Sequence, residues 1–122
     1  MTKKLTDRVK NLVSTLALAL LFCVTANAQD KVSEGAVKVT THMKSQLSLN
    51  DNQYTQVLAI NKDYLKKLDE NPGATAVQRS KKKKIYDEDR DKKLKSVLNE
   101  SQYKIFIANR SANARVYKEA LK

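Results

Sequence analysis

His42 is the only histidine in the 122 residues, and Cys23 is the only cysteine. Zinc draws three or four ligands from Cys, His and carboxylates, so neither residue has the company a metal needs. Nucleophilic catalysis asks for a nucleophile, a base and an orienting group, and nothing of that kind gathers around His42, which reads as a solvated or partly packed side chain. With two glycines in the whole chain there is no Gly-rich phosphate loop. Asp87, Glu88, Asp89 and Asp91 lack the spacing of a calcium loop. Three of these acids have a lysine four residues on, as Glu88 with Lys92, Asp89 with Lys93 and Asp91 with Lys95, the order that favours ion pairs along a solvated helix. The expectation is therefore a protein that is not an enzyme, with no catalytic residue, no cofactor and no metal.

Binding chemistry is better represented. Lys81, Lys82, Lys83 and Lys84 are consecutive, and at 100° per residue they wrap most of a helix, so at least one of them points where a core would be. That turn cannot be buried in a closed bundle. Together with Lys92 and Lys93 it forms the expected basic rim of a contact surface. Tyr54, Tyr64, Tyr86, Tyr103, Phe106 and Tyr117 recur at helical spacings that suit a core, but in a chain with few apolar residues some would lie open beside lysines. Apolar patches rimmed by Lys suit unfolded polypeptides.

The first residues read as a leader. Lys3, Lys4, Arg8 and Lys10 make a basic start, residues 12–24 an apolar run of thirteen, and Ala26-Asn27-Ala28 a small-residue cleavage site. A membrane anchor would need about twenty apolar residues. Phe22 in front of Cys23 does not suit a lipoprotein site. Residues 1–28 are thus expected to be a cleaved secretory signal and residues 29–122 a single helical domain without cysteine. The formal charge of the whole chain is +11; without the four basic residues and one acid of the leader, 20 basic and 12 acidic residues remain, a net +8. In the cytoplasm such a charge points to nucleic acid. An exported, periplasmic chain meets anionic lipid head groups, polysaccharide phosphates and acidic unfolded chains instead.

The elements that must carry this surface are helices. Val32, Ala36, Val39, Met43 and Leu47 mark one stripe over residues 31–47, and Tyr54, Val57, Leu58, Asn61, Leu65 and Leu68 another over residues 51–70. Pro72-Gly73 is the one strong break. Thr75 with Gln78 opens a third, poorly apolar helix towards Leu98, whose contacts are expected from Ile85, Tyr86, Leu94 and Val97. A fourth, with Tyr103, Phe106, Ile107, Arg110, Ala114, Tyr117 and Leu121 on one side, is expected from Glu100 nearly to the end. The fold class is all-α, about four helices in an elongated, hairpin-like or dimeric arrangement.

Two of these helices share a start. The pattern Leu-Asn-x-x-Gln-Tyr occurs as Leu49, Asn50, Gln53, Tyr54 and, 49 residues on, as Leu98, Asn99, Gln102, Tyr103. Asn is a favoured N-cap, Gln at the third helical position completes a capping box, and Leu and Tyr flank the cap where a hydrophobic staple closes. The hexapeptides resemble the twin Leu-Thr-x-x-Gln motifs of the Spy/CpxP-like periplasmic proteins, with Asn in place of Thr and Tyr where Arg is common. The resemblance implies a small exported helical protein that forms a dimeric basic cradle. It also implies either an ATP-independent chaperone for unfolded polypeptides or an envelope-stress adaptor docking on a membrane sensor, in a family many of whose members have no assigned activity. Anionic envelope lipid or polysaccharide is a third class of partner. If both asparagines are caps, Asn50→Ala and Asn99→Ala each lose about 1 kcal/mol in denaturant unfolding.

Overall fold

Each expected cap nucleates a helix where the sequence places it. A computed structural model describes residues 30–122, so the expected signal peptide lies outside the described residues. The described residues contain five helices and no strand: α1 (Asp30–Leu47), α2 (Asp51–Glu70), α3 (Ala76–Val97), α4 (Glu100–Ala108) and α5 (Arg110–Ala120). Asn50 Oδ1 accepts from Gln53 N at 2.7 Å, and Gln53 Oε1 accepts from Asn50 N at 3.2 Å. The second copy repeats this with 2.8 and 3.0 Å between Asn99 and Gln102, and the two caps share nearly the same backbone angles. Thr75 and Gln78 form the third box. Leu49 and Leu98 are buried beside their caps.

The two boxes also join each other. Gln53 Nε2 donates to Gln102 Oε1 at 2.7 Å, and Gln102 Nε2 donates to Gln53 Oε1 at 3.0 Å. The second proton of each amide goes to the end of a helix from the other half: Gln53 to Val97 O at 3.3 Å, Gln102 to Leu47 O at 3.1 Å. Val97 and Leu47 end α3 and α1, so carbonyls that helix ends leave without partners are satisfied by the opposite copy. Just beyond Leu47, Ser48 takes a left-handed turn with φ of 55°, and Leu49 N reaches back to Lys44 O at 3.2 Å, a six-to-one helix stop.

Between the copies, α2 and α3 form an antiparallel hairpin. Gly73 carries its turn with φ of 101°, where an added Cβ would meet Arg79 N at 2.8 Å. Asp63 and Lys67 of α2 and Asp89 and Lys93 of α3 make a square of ion pairs between 2.9 and 3.4 Å. The α1 stripe is buried throughout, and Val57, Tyr64, Leu65 and Leu94 add to it from the hairpin. Gly35 lies so close to α5 that a Cβ there would meet Ala120 O at 2.5 Å, which brings the first and last helices together. Residues 31–122 form one unit.

Two expectations are corrected. The last segment is two helices, because Asn109 leaves the helical region at φ −102°, ψ 21° and turns its side-chain amide onto Ile105 O at 2.8 Å. Beyond that break Asn113, Tyr117 and Ala120 are buried, while Arg110 and Ala114 of the expected stripe, and Ile107 just before the break, are exposed. Ile85 is 60% exposed and outside the core cluster. α3 meets the core instead through Tyr86, Arg90, Leu94 and Val97.

Candidate functional site

A buried polar chain ties three helices at the centre of the molecule. The Tyr117 hydroxyl donates to Asn61 Oδ1, Asn61 Nδ2 donates to Thr40 Oγ1 at 2.9 Å, and the Thr40 hydroxyl donates to Ala36 O at 2.6 Å. Beside it lies Arg90, 7% exposed, its guanidinium carbon 4.4 Å from the Tyr64 ring and 4.5 Å from the Tyr117 ring. The two rings meet edge to face at 5.0 Å. Arg90 Nε and Nη2 both reach Asp91 Oδ1, at 3.2 and 3.0 Å, and Arg110 takes Asp91 Oδ2 at 2.8 Å. The Tyr64 hydroxyl donates to Asp87. A buried arginine is tolerated here because the Tyr64 and Tyr117 faces and the carboxylates of Asp91 and, at 3.7 Å, Asp87 replace its water.

This cluster is cohesive rather than reactive. Burial pushes the Tyr64 hydroxyl well above the ordinary tyrosine range, and its bond to Asp87 adds to the shift. Burial does the same for Tyr117 against the opposing pull of Arg90. For Arg90 itself burial works against the charge, but Tyr117, Tyr64 and Asp91 outweigh it and raise its pKa. Neither tyrosine is an anionic base near neutrality. Both are neutral donors.

An open groove runs beside the cluster, between the hairpin turn and α5, with a volume of about 580 Å³. Leu68, Pro72, Tyr117 and Leu121 give it apolar walls, and Arg79, Lys83, Arg115 and Lys118 line it without any acid. Arg79 rests on Ala74 O at 3.3 Å and Lys83 pairs with Asp87 at 2.8 Å. Arg115 and Lys118 have no carboxylate within 4 Å among the described residues. A second cavity of about 260 Å³ shares Lys83 and Tyr117, and there Asn113 Oδ1 is buried without a hydrogen-bond partner.

The expected rim is only partly gathered here. Of Lys81, Lys82, Lys83 and Lys84, the groove takes Lys83 alone. Lys93 is held in the ion-pair square, where its bond to Asp89 raises its pKa and lowers that of Asp89. Lys92 is exposed, and of the three expected acid-first pairs only Asp89 with Lys93 forms, since Asp91 is drawn to Arg90 and Arg110. Tyr54 and Tyr103 are half-buried, with Lys44 Nζ 5.3 Å and Lys95 Nζ 5.7 Å from their ring centres. Arg79, Arg115 and Lys118 were not expected in a site; their only sequence signals are cationic spacings of four from Arg79 to Lys83 and three from Arg115 to Lys118. His42 is exposed, and no cluster of three or more His, Cys, Asp or Glu that could hold a metal occurs among the described residues. None of their helices is long and apolar enough to cross a membrane.

Residues 25–106 match a domain of unknown function, DUF4890. The chain belongs to the DUF4890 family. The match takes in both hexapeptides and ends at Phe106 in α4, before the α5 residues that wall the groove. No curated protein and no solved structure matches the chain.

The tyrosine cluster of this DUF4890 protein gives its stability an alkaline dependence. Both folded hydroxyls titrate above their unfolded values, so unfolding at high pH releases protons. The tyrosine contribution is complete below the ordinary value of about 10 and is lost as pH rises past it. Denaturant unfolding from about pH 8 to about pH 11 should show this decline, and Tyr64→Phe or Tyr117→Phe should flatten it. An unchanged slope in both variants contradicts the assignment.

Proposed function

We propose that this DUF4890 protein binds unfolded or partly folded polypeptides without ATP, as a chaperone-like protein of the cell envelope. The observation that carries the reading is the groove, whose apolar walls lie under four cations and no acid. An exposed apolar side chain of a non-native client loses water on entering the walls, and acidic neighbours in the client meet Arg115 and Lys118. The groove is open and lined by several residue types, which favours loose recognition of many segments over one shaped ligand. The leader-like residues 1–28 and the twin motif, with its resemblance to the Spy/CpxP-like proteins, support a periplasmic location.

The purified protein should slow the aggregation of a chemically denatured acidic client in the absence of ATP. Reversing the exposed pair, Arg115→Glu with Lys118→Glu, should weaken this protection several-fold while the thermal midpoint stays near that of the wild type. No protection at several-fold molar excess of the wild type would contradict the proposal.

A further inference from the structure

The groove uses one side of α3 and leaves the opposite side unexplained. Arg79, Lys83, Tyr86, Arg90 and Leu94 all turn towards the groove or the core. At 100° per residue the far side of the same helix carries Val77, Lys81, Lys84, Glu88, Lys92 and Lys95, with Ile85 beside them. All seven are exposed, and Val77 at 64% and Ile85 at 60% are the two most exposed of the large hydrophobic residues described. Lys81, Lys84 and Lys92 have no carboxylate within 4 Å among the described residues. Lys95 lies over the Tyr103 ring. Glu88 is the single acid against four lysines.

We infer that this outer ridge of α3 docks on an anionic lipid bilayer surface. The charge is complementary, since four lysines against Glu88 leave the ridge a surplus of three positive charges, and Lys81, Lys84 and Lys92 have no carboxylate within 4 Å among the described residues. Its shape suits a planar partner: a helix of 22 residues is about 33 Å long, and the residues lining both cavities lie on its other sides. Mobile lipid head groups rearrange under a row of lysines and supply a dense layer of phosphates to pair with them. Val77 and Ile85 stand about 12 Å apart along the axis and enter the head-group layer, while the lysine stems reach sideways to phosphates. The contact is interfacial and screened by salt. It turns the groove away from the membrane, and it holds or fails independently of client binding.

The test is co-sedimentation of the whole chain with vesicles of phosphatidylglycerol and phosphatidylcholine, against phosphatidylcholine alone. Lys81→Gln with Lys84→Gln should weaken binding to the anionic vesicles by about tenfold or more. Val77→Ser with Ile85→Ser should weaken it with the helical content unchanged. Arg115→Gln with Lys118→Gln, the same charge change in the groove, should leave it unaltered. The inference is overturned if the two lysine-ridge and groove pairs weaken binding equally, which assigns it to bulk charge, or if neither ridge pair changes it. It is also overturned if the wild type is a dimer that Val77→Ser with Ile85→Ser converts to monomer, because the ridge then belongs to a second copy.

Discussion

The hydrogen bonds between the Gln53 and Gln102 side chains fix where two halves of the chain meet. A glutamine amide offers two donor protons and two acceptor positions, and here both residues use all four. Each oxygen takes its own cap's N–H and the other amide; each nitrogen serves the other amide and a helix-end carbonyl. The orientation of both amides is thereby determined, since a flipped amide would set donors against donors. Gln102 is 8% exposed, so an unmade bond there would cost its desolvation as well. A local device for starting a helix becomes, by being used twice, the joint that places α1 and α3 ends beside α2 and α4 starts.

From that joint the rest of the packing follows in layers. The hairpin of α2 and α3 leaves the joint and is bridged at one turn of each helix by the ion-pair square, while α1 lies against it through Thr40 and Asn61. α5 closes over both, with Gly35 admitting its end and Tyr117 completing the polar chain. Arg90 is the costly element of this core. Its charge is kept by Tyr64, Tyr117 and Asp91, which adds oriented polar contacts to the apolar burial of a cysteine-free core. The same closure forms the groove, because Tyr117 belongs both to the core and to the groove wall.

Local signals in the sequence proved legible and long-range ones did not. Caps at Asn50, Thr75 and Asn99, the stop at Pro72-Gly73 and the α1 stripe are written in neighbouring residues, and the helices begin and end accordingly. The break at Asn109 was hidden because an asparagine between two helical stretches only competes with the backbone when its amide finds a carbonyl. Apolar counting placed Ala114 inside and passed over Asn113, although the buried series from Gln102 through Phe106 to Asn113 and Tyr117 is partly polar. Arg90 in a core and the meeting of Gln53 with Gln102 depend on residues far apart in sequence. The lysine run lies outside the core, yet it gives the groove only Lys83; the other groove cations, Arg79, Arg115 and Lys118, stand outside the run, where composition gives no hint of a common site.

The central claim is that the two hexapeptides act as one joint and not as two independent caps. A double-mutant cycle in denaturant unfolding, with Gln53→Ala, Gln102→Ala and the pair together, measures the coupling directly. The joint predicts an interaction energy between about 0.5 and about 3 kcal/mol, the double variant losing less than the sum of the singles. Losses that add to within about 0.3 kcal/mol would contradict it.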